Sequence, residues 1–351
     1  MQEINERVSK KIARLGVVCA MLVVFIHSYL AHAPNEPFNP VASFVQEMVS
    51  QGIARIAVPF FFVVSGIFLY RDFEFTFTWF RKKLVSRFWS LGVPYILWAL
   101  IGLAFAIVTS MFARKVSFET FQWSSPMWWI RMLGVIEKPL YLGQLWFVHM
   151  LLEWLCLAPI VGGLVKKFRF VVPAVCFVVM SIPSIANPWT NALMYISFGA
   201  CVSQSGATLS NCVFAPCALQ RLAVTLCVAW LGMLAFRACC VMAWGWTFPE
   251  QYILISIVVG IPAIWLGYDL LERRISMDWV DGIVGASFFV YCSHNIFLVL
   301  FRSPLRRMSL WECDMLRYLM PPVLSIISAT LTWRFIGMCL PRIRRLICGG
   351  R

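Results

Sequence analysis

The sequence predicts an all-α, polytopic membrane protein of about ten transmembrane helices with both termini in the cytoplasm. Three observations carry this. Of the 351 residues 61% are hydrophobic, only 13% are charged, and the mean hydropathy is +0.79. Soluble domains carry about 25% charged residues, so this chain cannot furnish a water-facing surface. Apolar runs recur along nearly the whole length, many of them near the roughly 20 residues needed to cross a hydrocarbon core. The basic residues, which give a net charge of +14, fall in short segments between those runs. That is the positive-inside pattern rather than a nucleic-acid-binding face.

In order, the runs predict spans over 12–31, 52–70, 88–111, 140–165, 170–187, 189–204, 219–238, 252–270, 283–301 and 318–340. The first follows Lys10 and Lys11 and has no small-residue cleavage site, so it reads as a retained helix. Asn187-Pro188 separates the fifth and sixth, where a turn is expected. With the N-terminus inside, the inner connections hold 19 Lys and Arg and the outer ones 9, which sets the orientation. The outer connection 112–139 carries Trp123, Trp128 and Trp129, suited to the headgroup level. With no repeat and no appended soluble segment, one membrane domain over 1–351 is expected. The 13 cysteines form no C-x-x-C pair and no Cys/His ligand spacing, so neither a disulfide framework nor a metal site is expected.

Ionisable groups inside spans are expensive and mark function by default. Here they are His27, Arg55, His149, Glu153, His294 and Arg334. His27 lies 16 residues beyond Lys11, or about 24 Å along a helix, near the outer side. Arg55 opens a descending span at similar depth, so the two can share one site. Imidazole can take a proton from a hydroxyl near neutral pH, and guanidinium can steady the oxyanion that follows. The bland alternatives are a histidine bonded to a neighbouring backbone and an arginine snorkelling to headgroups. His149 and His294 lie deeper, as candidate cavity-lining residues or interhelical hydrogen-bonding partners. On the inner side Arg81, Lys82, Lys83 and Arg87 precede Pro94-Tyr95. They either bind the phosphates of a nucleotide-like donor or serve topology alone. H-x-x-x-x-D, H-E-x-x-H, G-x-S-x-G and P-loop signatures are all absent.

Five segments, in order, resemble the bacterial integral-membrane acyltransferase 3 family: AMLVVFIHSY (20–29), RIAVPFFFVVSGIFLY (55–70), KKLVSRFWSLGVPYILW (82–98), LWFVHMLLEWLCLAPI (145–160) and SFFVYCSHNIFLVL (287–300). The family acylates hydroxyls of cell-surface polysaccharides and related compounds. The resemblance implies catalysis by His27 with Arg55, and donor binding by Arg81, Lys83 and Arg87. It also implies no bound cofactor or metal, a plasma-membrane location, acyl-CoA (acetyl-CoA expected) as donor substrate, and a sugar or glycolipid acceptor, with no nucleic-acid partner. His27 acts there as general base or as covalent acyl acceptor. One position departs from the pattern. Many members carry an arginine 11 residues before the histidine, on the same helical face; this chain has Gly16. Arg14, 13 residues away, is rotated to the opposite face. The competing expectation is a non-enzymatic transporter or flippase working by alternating access around the same charges.

Overall fold

The computed structural model describes residues 6–30, 39–113, 122–205, 217–305 and 313–350, and within them every regular element is helical. Arg114, Lys115, Arg306, Arg307 and Arg351, counted above as topology charges, lie outside the described residues. Along the chain run α1 (Glu6–Ile26), α2 (Pro40–Val49), α3 (Ala57–Tyr70), α4 (Phe77–Arg87), α5 (Val93–Ala113), α6 (Pro126–Met132), α7 (Trp146–Cys156) and α8 (Ala158–Phe168). They are followed by α9 (Val171–Met180), α10 (Pro188–Gln204), α11 (Cys217–Trp244), α12 (Glu250–Glu272), α13 (Asp278–Asp281), α14 (Ser287–Leu305), α15 (Asp314–Cys339) and α16 (Pro341–Ile347).

Six helical stretches among the described residues are long and apolar enough to cross a membrane: 40–70, 77–111, 218–244, 250–272, 284–305 and 314–339. The bent pair α7–α8 makes up to seven. The protein is therefore a multi-pass membrane protein. The run 140–165, expected as one span, bends by 71° between α7 and α8. Pro159 explains the break: it donates no N–H and its ring would collide with the carbonyl four residues earlier in a continuous ladder, whereas the first turn of α8 accommodates it. The run 170–187 likewise yields only the ten-residue α9, about 15 Å long.

Proline also shapes the path from α4 into α5. A proline ring at 94 would collide with the carbonyl four residues earlier in a regular ladder. The chain widens into a π-turn over Phe88–Gly92 just before it, and the Val93 N–H reaches back to the Phe88 carbonyl. The 35-residue stretch continues unbroken.

The closest helix packing is between α3 and α10. A methyl group placed on Gly66 would strike the Ile196 carbonyl, and one on Gly199 would strike the Val63 carbonyl. Two glycines, one from each helix, thus let the backbones touch, the usual device where lipid gives no hydrophobic drive between helices. The aromatic connection forms the short α6, where Trp123, Trp128 and Trp129 cluster with ring centroids 5.1–5.9 Å apart. Trp129 donates its indole N–H to the Trp123 carbonyl at 2.9 Å.

The first half of α1 is basic, yet Lys11 and Arg14 are buried. Lys11 Nζ lies 2.8 Å from Asp269 of α12, and both side chains are almost fully covered. Arg14 bonds both oxygens of Asp281 at 2.7 and 2.8 Å and reaches Glu272 at 3.1 Å. Those paired N–H groups hold the Asp281 carboxyl below the usual carboxylate range. Arg7 adds a further bridge, to Glu272 at 3.2 Å. Charges that the sequence presents as topology signals are also a clasp between α1 and the α12–α13 corner.

Candidate active site

α1 ends at Ile26, and its end is held from several sides. The His27 N–H still reaches the Val23 carbonyl at 3.3 Å, while Arg302 of α14 donates to the His27 carbonyl at 2.7 Å. A cation at the carbonyl end of a helix offsets its dipole. Ser50, after α2, donates to the Phe25 carbonyl at 2.6 Å and lies 2.9 Å from the Tyr318 hydroxyl. The end of α1 is thus held from α14 and, through Ser50, from the turn after α2 and from α15, and His27 borders open space.

That space is a cavity of about 540 Å³ bordered by His27, Arg55, Trp146, Asn191, Tyr195, Glu250 and Tyr291, among others. Arg55 sits in the 3₁₀ turn Ile53–Ile56 that leads into α3, and its guanidinium donates to Gln51 Oε1 through Nε at 3.1 Å and again through Nη2. The structure therefore brings His27 and Arg55 to one cavity.

Behind His27 stands His294 of α14. Their ring centroids are 5.0 Å apart, nearer than the 6.3 Å from His294 to Tyr291. His294 is wholly buried, at 0% exposure. Its Nδ1 lies 2.7 Å from the Tyr291 carbonyl, so that nitrogen carries the proton and donates. Nε2 is then a bare acceptor, and it is buried without a partner among the described residues. His294 does not border the cavity; it backs the residue that does. The neighbouring turn is braced by Gln144, whose Nε2 donates to the Cys292 carbonyl at 3.0 Å and whose Oε1 accepts from Asn295 at 2.8 Å. The Tyr291 hydroxyl donates to the Gln144 carbonyl at 2.5 Å.

His149 goes elsewhere. On α7 it lies 3.6 Å from Glu153, 3.5 Å from the Val135 carbonyl and beside the Tyr95 ring, and it borders neither this cavity nor the one described next.

A second cavity, of about 420 Å³, lies between the start of α1, the end of α3 and the start of α14. Ser9, Gly16, Ser65, Arg87 and Ser287 border it, and Phe147 and Tyr291 border both cavities. The two spaces therefore abut across one pair of aromatic side chains. Gly16 keeps the second one open: a methyl group there would meet only the Phe61 ring, at 3.8 Å. Arg14 points away, into the α12–α13 clasp. Of the basic segment, Arg87 borders the cavity, Lys83 pairs with Asp72 at 2.5 Å, and Arg81 is exposed and outside it.

Sequence reasoning missed Gln144, Asn191, Tyr195 and Arg302. Gln144 stands at the head of an apolar run and Arg302 at the foot of one, a legible signal of interhelical partners. Asn191 and Tyr195 carry no charge and gave none.

No solved structure gives a significant match to the chain. Succinoglycan biosynthesis protein ExoH of Rhizobium meliloti (strain 1021) is 21% identical over 370 residues, covering 99% of this chain and 94% of that protein. An amino-acid racemase of Enterococcus faecalis is 26% identical over 102 residues, but covers only 29% of this chain and 14% of its own length. The model of the acyltransferase domain family Acyl_transf_3 matches residues 16–337, from the Gly16 turn of α1 through most of α15, and the chain belongs to that family.

Proposed function

We propose that this protein is a membrane O-acyltransferase. It moves an acyl group, acetyl being the expected one, from acyl-CoA on the cytoplasmic side of a bacterial inner membrane to a hydroxyl of a sugar, glycolipid or surface polysaccharide on the other side. The observation that carries the reading is the pair of abutting cavities, one bordered by Arg87 and the other by His27 and Arg55, with Phe147 and Tyr291 common to both. A thioester arm entering past Arg87 can deliver its carbonyl to His27 without the whole coenzyme crossing. The similarity to a protein of succinoglycan biosynthesis supports a glycan as acceptor.

In this reading α1, the bent α7–α8 pair, α9 and α10 join the six long stretches to give ten spans with both termini cytoplasmic. The acidic clasp on α1 supports it by neutralising Lys11 and Arg14 where they leave the inner surface. The His27 cavity then collects the predicted outer ends of the spans, and the Arg87 cavity the inner ends. His27 takes the proton of the acceptor hydroxyl as its oxygen attacks the thioester carbonyl. Arg55 faces the oxyanion that forms. When the carbon–sulfur bond breaks, the imidazolium returns its proton to the departing thiolate. His294 positions His27 when substrate binds: Nε2, without a partner among the described residues, takes an N–H from the His27 ring as it turns, and the other His27 nitrogen is left to act as base.

The test uses sealed vesicles of known orientation, with acyl-labelled CoA confined to one side. Labelled glycan is expected only when the donor is on the Arg87 side. An unlabelled glycan, together with protein-dependent movement of glycolipid across the vesicle, would favour a carrier instead.

A further inference from the structure

We propose that Asn191 and Tyr195 of α10 form a subsite for a neutral sugar, which holds the acceptor ring while its hydroxyl meets His27. The inference rests on the acyl-transfer reading and adds the residues that hold the acceptor and their preference for an uncharged ring. The two residues stand four apart, so their side chains share one face of the helix. Both border the His27 cavity. Asn191 Oδ1 and the Tyr195 hydroxyl are each buried with no hydrogen-bond partner among the described residues, and Tyr195 as a whole is only 4% exposed. Buried polar groups are nearly always paired, and the exceptions call for an explanation. Two such exceptions, one helical turn apart on the wall of one cavity, are explained by a ligand that pairs them.

The chemistry of the pair narrows the ligand. An amide oxygen needs a donor, whereas a phenol can donate or accept. An ionised phosphate or carboxylate offers acceptors only, so it leaves Asn191 Oδ1 unmet. A sugar hydroxyl both donates and accepts, and adjacent hydroxyls on one ring can serve both residues together. Arg55 and Glu250, of opposite sign, both border the cavity, so its border charges give an anion no net advantage. Trp146, which also borders the cavity, offers an apolar ring to the C–H side of a sugar.

The experiment uses the full chain in lipid nanodiscs and equilibrium dialysis against labelled octyl β-glucoside and octyl β-galactoside, with octyl β-glucuronide as the anionic counterpart and empty nanodiscs as the blank. Acyl-CoA binding, acyl transfer and the thermal midpoint are read on the same preparations. At least one neutral glycoside should bind more tightly than the glucuronide. Tyr195→Phe and Asn191→Leu should each weaken it by about three- to tenfold, the worth of one hydrogen bond. Acyl-CoA affinity should stay unchanged. The midpoint of Tyr195→Phe should hold or rise, because the lost hydroxyl has no partner among the described residues. Equal neutral-glycoside affinity in wild type and both variants overturns the subsite and leaves water as the partner of both groups; so does tighter binding of the glucuronide, or no glycoside binding. A fall in the midpoint that accounts for the weakened binding makes the residues structural and also overturns it. Glycoside binding lost in the variants, with no acyl transfer by the wild type, would keep the subsite and sink the acyltransferase reading.

Discussion

Replacing His294 with leucine should make the protein slower without making it weaker. The side chain is wholly buried, donates from Nδ1 to the Tyr291 carbonyl at 2.7 Å and leaves Nε2 unpaired among the described residues. An unmet buried acceptor costs about 1–3 kcal/mol, while the Nδ1 bond contributes about 0.5–1.5 kcal/mol, so leucine should leave stability unchanged or raise it by up to about 2 kcal/mol. Turnover should move the other way. In the acyl-transfer reading the His27 ring, 5.0 Å off, turns to give an N–H to Nε2 when substrate binds, and leucine leaves it no such acceptor. A misplacement of about 1 Å at a reacting group can cost roughly 100-fold, and a loss of that order in kcat is expected. KM for acyl-CoA should stay as it is, because His294 does not border the Arg87 cavity. The assay is transfer from labelled acyl-CoA by nanodisc-embedded protein, with the thermal midpoint measured alongside. Wild-type turnover would show that the bare nitrogen has no part in the chemistry. A midpoint that falls in step with the rate would make His294 a packing residue.

Arg55→Lys should lower kcat by about 100-fold, because a point charge does not reproduce the planar fork aimed at an oxyanion; full activity would show that charge alone suffices. Arg87→Gln should raise KM for acyl-CoA about tenfold or more through loss of a charged hydrogen bond, whereas Arg81→Gln should leave it unchanged. Accessibility labelling of introduced cysteines checks that orientation is intact in both, and equal KM values would reduce the basic segment to a topology signal. Lys11→Met should strip Asp269 of its buried partner and cost about 3 kcal/mol, read as a lowered thermal midpoint. Adding Asp269→Leu should recover most of that loss, and a double variant as weak as the single one would contradict the pairing.

The helical membrane fold was legible because hydropathy reports span length directly. Direction was not. The bend at Leu157 arises from one proline in a run that stays apolar on both sides, so a hydropathy window passes over it. The same limit applies to the basic half of α1. Lys11 and Arg14 look alike as topology charges, and only their pairing with Asp269 and Asp281, more than 250 positions away, reveals a clasp. His27 and Arg55 could be put together because depth along two antiparallel spans follows from residue counts. His149 and His294 show where that reasoning stops. Each is a lone histidine in an apolar run, yet one turns toward Glu153 and the Val135 carbonyl and the other backs His27, a difference set by helix rotation. The departure at Gly16 was visible in the sequence, and its consequence, an open wall in the Arg87 cavity, needed the packed neighbours.

The most direct test of the acyl-transfer account is the mass of the surface glycan made by cells that carry the wild-type protein, none, or His27→Gln at equal abundance in the membrane. The account predicts one acyl group per repeating unit with the wild type and its absence in the other two, since glutamine keeps some hydrogen bonding but cannot serve as the base. Glycans of identical mass in all three, or full acylation with His27→Gln, would contradict it.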